Sequence, residues 1–267
     1  MDINWKLTCD GLTDYIWASI KEIVGTEEAA IKIGDLDKYK KDTKKIDILA
    51  EDVVINYLKK EKMDISLLSE EIGEIQIGSK SKYKLILDPI DGSTNAIKGL
   101  PFFSTSIAIA KGNKIEDLIF GYVRNYLPHE IFYVNQNSAF FNDKKCGSFS
   151  CNSLNKALIS FYSYGNVNYE LIRKVIRKIN KMRLFGAVSV ELCYVGSNKL
   201  DGIIDLRGDL KITDIAAGIL FVINSKGVVT DRIGNEISGK LELGEKYSIV
   251  AAGNRDIHNK FLKMINS

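Results

Sequence analysis

Leu85-Ile86-Leu87-Asp88-Pro89-Ile90-Asp91-Gly92-Ser93-Thr94-Asn95 reads as the end of a buried strand that breaks into a tight turn and then opens a helix. Three apolar residues in an extended run lead to two carboxylates three positions apart, with a proline between them and Gly-Ser-Thr-Asn behind. Asp88 and Asp91 can converge on a hard divalent cation, which prefers oxygen ligands. The amides of Gly92, Ser93 and Thr94 fall at a helix start, where an anion is welcome. A cation beside a bound anion is therefore the chemistry that the rest of the chain must supply partners for.

Upstream, residues 65–68 form a short strand that ends in Ser69-Glu70-Glu71. A loop rich in Gly, Ser and Lys over 73–82 then returns the chain to residue 85, so the two strand ends meet and Glu70 approaches Asp88. Before that strand, Ile46, Leu49, Ala50, Val53, Val54, Tyr57 and Leu58 recur at helical spacing. Asp47, Glu51 and Asp52 sit in the first turns of this helix, where negative charge suits the dipole. Apolar positions over 2–24 fit one or two amphipathic helices, interrupted at Asp10-Gly11. The segment 25–45, ending in a lysine-rich run, reads as a solvated loop that can also serve as a basic lid over an anionic substrate.

Downstream of Asn95, alternating and β-branched runs over 102–110, 115–126, 130–134 and 139–141 predict an antiparallel meander. The second half alternates strands (157–162, 182–185, 202–206, 227–231, 247–252) with helices (167–180, 187–198, 212–225, 255–265), a layered α/β pattern. The expected organisation is an α+β half over 1–145, carrying the cation ligands, and an α/β half over 146–267 that completes the site. In the second half, Lys211-Ile212-Thr213-Asp214 opens a helix whose small residues Ala216-Ala217-Gly218 allow close packing. Asp214 would be the third carboxylate of a two-cation site.

With 37 basic against 34 acidic residues, the formal charge of +3 lacks the basic stripe of a nucleic-acid binder. No basic segment followed by an apolar core opens the chain, and no run approaches the ~18 apolar residues of a membrane span. A cytoplasmic protein without nucleic-acid or membrane partners is expected. The four cysteines lack the paired spacing of a zinc site and read as free thiols, with a Cys146–Cys151 disulfide as the alternative. His129 and His258 lie away from the acidic motifs and read as surface residues. That argues against a phosphohistidine route, and no Gly-x-x-x-x-Gly-Lys-Ser/Thr loop supports an NTPase.

Taken together, Ser69-Glu70-Glu71, Asp88-Pro89-Ile90-Asp91-Gly92-Ser93-Thr94-Asn95 and Thr213-Asp214-Ile215-Ala216-Ala217-Gly218 resemble, in order and spacing, the signatures of the inositol monophosphatase/fructose-1,6-bisphosphatase superfamily. The similarity runs over nearly the entire chain and is strongest to the archaeal members that act on both fructose 1,6-bisphosphate and inositol 1-phosphate. It implies a layered αβαβα sandwich, dependence on Mg²⁺ (two or three ions, with Mn²⁺ as a substitute), lithium sensitivity in many members, and commonly a homodimer.

Carried onto this chain, the resemblance gives Glu70, Asp88 and the Ile90 carbonyl to a first metal and Asp88, Asp91 and Asp214 to a second. Asp47 matches the position that helps to activate water, and Ser93, standing where threonine is more usual, would hold the attacking water under Asp47's orientation. Gly92, Ser93 and Thr94 would bind phosphate. Tyr162, Arg183, Gly186, Glu191 and Arg207, with Asp91, are candidates for sugar or distal-phosphate contacts. The pattern departs at Thr213, where an aromatic is common, and at Ala187, where a threonine contacts inositol in many members. Rival readings are an adenosine 3′,5′-bisphosphate nucleotidase or NADP phosphatase, with Tyr162, Tyr164 and Tyr194 as a platform for adenine, and a non-catalytic metal- or phosphate-binding module.

Overall fold

The computed structural model describes residues 3–33, 42–147, 151–165 and 167–267. The central part of the expected lid, residues 34–41, lies outside them. Helix α1 (Trp5–Ile20) buries Cys9, Leu12, Ile16 and Ile20, one stripe at three- and four-residue steps. Asn4 caps it by accepting the Leu7 N–H. It runs straight through Asp10-Gly11, where a sequence reading sees an interruption. A Cβ at Gly11 would lie 2.8 Å from the Tyr57 hydroxyl, so glycine there permits a close crossing with α2 (Lys45–Lys60).

The chain then builds β1 (Ile65–Ser69), β2 (Gly73–Ile77), β3 (Lys84–Asp91), a short α3 (Ser93–Lys98), β4 (Ser104–Ala110), β5 (Leu118–Asn125), β6 (Glu130–Asn135), β7 (Ser138–Phe141) and β8 (Lys144–Cys146). They form one sheet in the order β2-β1-β3-β4-β5-β6-β7-β8. Only β1 and β3 pair in parallel; the rest is antiparallel, as the meander predicts. Strand β2 replaces much of the loop expected over 73–82. Glu74 and Gln76 face solvent while Ile75 and Ile77 pack inward, an edge-strand alternation short enough to pass for a polar loop. It does return the chain to β3 beside β1, with Ser69 opposite Leu87.

The second half supplies β9 (Leu158–Tyr162), α4 (Tyr169–Lys178), β10 (Lys181–Arg183), α5 (Val188–Gly196), β11 (Gly202–Leu210), α6 (Ile212–Asn224), β12 (Val228–Thr230), β13 (Tyr247–Ala252) and α7 (Arg255–Asn266). Its sheet runs β10-β9-β11-β13-β12. Strand β11 carries on past the turn expected after Leu206, with a register shift beyond Asp205 and Gly208 at φ 70°.

Three apolar cores separate five layers. Helices α1 and α2 cover one face of the first sheet through Leu12, Ile46, Leu85, Leu87 and Tyr122. Its other face meets α5 and α6, which also carry the second sheet. Helices α4 and α7 close the outside. Strand β3 has both faces covered, Leu85 and Leu87 toward one core and Ile86 toward the other, so its sequence is continuously apolar. The small residues of α6 act as expected: a Cβ at Gly218 would meet Leu192 of α5 at 2.6 Å, and Gly121 of β5 rests against the Ala217 backbone.

His258 is buried on α7, not at the surface. It shares a face with Ile257, Phe261, Met264 and Ile265, and its Nε2 meets the Thr230 hydroxyl at 3.0 Å. His129 is exposed in a turn. Cys9, Cys146, Cys151 and Cys193 form no disulfide among the described residues. No helix among the described residues is long and apolar enough to cross a membrane.

Candidate active site

On an unbroken strand, residues three apart point to opposite faces. Asp88 and Asp91 escape that rule through a β-bulge. Asp88 pairs with Ser106 and Asp91 with Ser104 of β4, so Pro89 and Ile90 together oppose only Thr105. The extra residue turns both carboxylates to one side and releases Ile90 from the ladder. The bulge is pinned at both ends: the Thr105 hydroxyl donates to the Pro89 carbonyl at 2.8 Å, and the Ile90 N–H donates to Asp88 Oδ1 at 3.0 Å.

Gly92 follows in the left-handed region, φ 83°, ψ 36°. A Cβ there would lie 2.9 Å from the Phe102 carbonyl and 3.1 Å from that of Gly186. Only glycine makes this corner, and α3 starts immediately after it. The Asn95 amide donates to the carbonyls of Phe102 and Phe185, each at 2.6 Å, tying α3 to the turn before α5.

Around this corner a cleft of about 220 Å³ is lined by Glu70, Asp88, Ile90, Asp91, Gly92, Ser93, Tyr162, Tyr164, Gly186, Val188, Arg207, Leu210 and Asp214. One ligand oxygen from each of Glu70, Asp88 and Asp214 lies within 4.8 Å of the other two. A larger hollow of about 500 Å³ lies along β12 and the C-terminal half of α6, but it holds only the scattered charges Glu116, Glu236 and Arg255. Chemistry, not size, marks the first as the site.

The acids are crowded. Burial, with Glu70, Asp91, Asp214 and Asp47 nearby, raises Asp88 well above the usual carboxylate range. Burial raises Asp91 to about 7 against the hydrogen bonds it receives from Ser189. Asp214 is raised to about 6 by burial and by Glu70, while the Lys211 N–H and ammonium oppose the shift. Asp47, in the first turn of α2, is raised to about 7 by burial first and then by Glu71, with Lys44 opposing. With only Lys211 and Lys44 among the described residues to offset it, this crowd of hard oxygen donors is short of positive charge and fits a divalent cation.

Other expectations are redistributed. Asp47 is buried behind the lining and not in it, and no hydrogen bond among the described residues joins it to Ser93. The Ser93 hydroxyl accepts instead from the Lys44 ammonium at 3.2 Å, which leaves its own proton to donate into the cleft. Thr94 is exposed outside the lining. Arg183 does not reach the cleft either: it sits on the edge strand β10 and donates to the Met182 carbonyl.

Glu191 is fully buried and committed elsewhere. Its Oε1 accepts from the N–H groups of Phe185 and Gly186, both at 2.9 Å, and from the Tyr162 hydroxyl at 3.0 Å; its Oε2 accepts from Ser160. Such a carboxylate shapes the wall of the cleft and cannot reach a sugar.

Arg207 is held rigidly. Its Nε and Nη2 bond the buried Asp205 and its Nη1 donates to the Tyr164 hydroxyl at 2.6 Å. The guanidinium stacks 4.3 Å from the Tyr162 ring and 4.7 Å from that of Tyr164. Of its five N–H groups, two remain for an anion. Lys211, missed as a site residue by sequence reasoning, places its ammonium on Glu70. Its position three residues before Asp214 was the available signal, since the Lys211 N–H caps back onto Asp214 Oδ2 at 2.9 Å.

Fold and cleft together define a phosphatase, with an acid cluster and a helix start brought to one seam between two sheets. The sequence profile of the inositol monophosphatase family matches residues 14–267, and the chain belongs to that family. It is 33% identical over 274 residues to the fructose-1,6-bisphosphatase/inositol-1-monophosphatase of Methanothermobacter thermautotrophicus, covering 98% of this chain and 96% of that protein. It is 32% identical to the bifunctional NADP phosphatase/NAD kinase of Methanocaldococcus jannaschii, over 95% of this chain and 49% of that one. A solved Pyrococcus horikoshii structure, described as having similarities for inositol-1 monophosphatase, superposes with a TM-score of 0.84 at 28% identity and 98% coverage of both chains.

Proposed function

We propose that this chain hydrolyses fructose 1,6-bisphosphate to fructose 6-phosphate and inositol 1-phosphate to inositol, as a cytoplasmic, Mg²⁺-dependent homodimer of carbohydrate metabolism and gluconeogenesis. The observation that carries the reading is the convergence of Glu70, Asp88 and Asp214 beside Asp91, in a cleft that also presents Arg207. Glu70, Asp88 and the Ile90 carbonyl would hold one cation, and Asp88, Asp91 and Asp214 a second. Mg²⁺, or Mn²⁺ in its place, would supply charge neutralisation at the phosphoryl oxygens and would make the attacking water more acidic.

The chain's own groups do the rest. The amides of Gly92 and Ser93 face the phosphoryl oxygens, where charge shifts as the ester breaks. The Ser93 hydroxyl, with its oxygen occupied by Lys44, orients water by donating its proton. Asp47, buried behind the lining in the first turn of α2, would help to activate the attacking water. Tyr162 and Gly186, both held by Glu191, bound the sugar.

Phosphate release from fructose 1,6-bisphosphate, inositol 1-phosphate, adenosine 3′,5′-bisphosphate and NADP, with and without Li⁺, tests the substrate choice. Release from the first two at comparable rates is expected. Exclusive release from a nucleotide would replace this reading with the nucleotidase or NADP phosphatase one, which the exposed Tyr164 ring beside Arg207 favours as the alternative.

Arg207 is assigned to the distal phosphate. Alanine at 207 leaves the buried Asp205 without its partner, so the comparison is made in an Asp205→Asn background. There Arg207→Ala raises KM about tenfold or more for the bisphosphate, the worth of a charged hydrogen bond, with little change for inositol 1-phosphate. Equal losses on both substrates would remove Arg207 from that role.

A further inference from the structure

Helix α5 begins without a side-chain cap of its own. Ala187 stands at the cap position and offers no side-chain oxygen. The cap comes from across the seam. Asp91 Oδ2 accepts the backbone N–H of Ser189 at 2.8 Å and the Ser189 hydroxyl at 2.5 Å. That hydroxyl also lies 2.9 Å from the hydroxyl of Ser104, the β4 residue paired with Asp91. Asp91, Ser104 and Ser189 are all buried.

The proton inventory fixes the direction of this chain. With Asp91 ionised, as it would be beside a bound cation, Ser189 gives its single hydroxyl hydrogen to the carboxylate, which can then only accept. In the Ser104–Ser189 pair Ser104 must therefore donate. The polarised chain Ser104 → Ser189 → Asp91 places two donors on one carboxylate oxygen, at a helix N-terminus where negative charge is favoured. Oδ1 receives no hydrogen bond from the described residues.

We infer that Ser189, polarised by Ser104, is a positioning residue that locks the Asp91 carboxylate with Oδ1 directed into the cleft as its cation-binding edge. The inference rests on the reading of Asp91 as a cation ligand and adds what fixes its orientation. Without the hydroxyl, one backbone N–H is left to hold a carboxylate that can swivel about its terminal torsion. Groups that orient a ligand in this way are worth about 10- to 100-fold in metal affinity.

The test is Mn²⁺ binding by calorimetry and electron paramagnetic resonance on the full chain, in Ser189→Ala, Ser104→Ala/Ser189→Ala and Asp91→Asn. Ser189→Ala is expected to weaken Mn²⁺ binding about tenfold or more and to raise the Mg²⁺ concentration for half-maximal turnover by the same factor. The single variant also leaves the buried Ser104 hydroxyl without its acceptor, and the double variant removes that defect. The double variant should thus melt closer to wild type and still bind Mn²⁺ weakly. Mn²⁺ affinity restored in the double variant would reduce Ser189 to a packing role and overturn the inference. Unchanged affinity in Ser189→Ala, with Asp91→Asn weakened, overturns the inference alone. Unchanged affinity in Asp91→Asn overturns both it and the cation reading of Asp91.

Discussion

Asp91→Asn is expected to lower turnover by roughly a thousandfold at saturating Mg²⁺, the equivalent of about 4 kcal/mol of transition-state stabilisation. Asparagine has nearly the same shape and can still present its carbonyl oxygen to the Ser189 donors, so the bulge and the start of α5 survive. What disappears is the charge. In wild type that charge is buried beside Asp214 and Glu191, and removing it relieves repulsion. A variant that melts at or above the wild-type temperature without added cation, yet hardly turns over, is the expected pair of results. Near-normal turnover at saturating Mg²⁺ would sink the two-cation assignment.

The second large effect is on stability. Stripped of divalent cations with EDTA, the protein should lose stability as pH rises from about 4 to about 7. Asp47 and Asp91 are raised to about 7 and Asp214 to about 6, with Asp88 raised as well. A carboxyl whose folded pKa lies above its unfolded value binds its proton more tightly in the folded state. Its contribution is fully present below the unfolded value, near 4, and is lost as pH climbs through the folded one.

One shift of this size is worth about 4 kcal/mol, or on the order of 10 °C in melting temperature for a chain of this length. His258 works the other way. Burial lowers its pKa, so its contribution is present above about 6.5 and fades as pH falls, one group against several acids. Excess Mg²⁺ should restore the loss, because a cation that binds only the folded state stabilises it. A flat melting profile between pH 5 and 8, unmoved by Mg²⁺, would contradict the clustering of these acids.

Much of this site could be read from residues alone, because its ligands come in local motifs. Glu70 directly follows one strand, Asp88 and Asp91 end its parallel neighbour, and Asp214 opens a helix marked by its small residues. What the sequence hid was geometry across the chain. Two aspartates three apart give no sign of the bulge that puts them on one face. Glu191 looks like any acid near a binding turn until the N–H groups of Phe185 and Gly186 are seen to occupy it. Arg183 and Arg207 are equally basic in the sequence, and only the stacking of Tyr162 and Tyr164 on Arg207 tells them apart. Strand β2 was hidden by its polar face, and His258, read as a surface residue because it lies away from the acidic motifs, is buried on the apolar face of α7.

The seam between the sheets has one more consequence. Glu70, Asp88 and Asp91 come from the first sheet, while Tyr162, Arg207 and Asp214 come from the second sheet and from the helix wedged in the middle layer. Neither side holds a complete set, so hydrolysis acts as a gauge of docking. A bulkier residue at Gly121 of β5, pressing on the Ala217 backbone of α6 across the seam, would register as lost turnover before it registered as unfolding. The same division suits the chain to split-enzyme complementation, in which recovered phosphate release reports that two fragments have met.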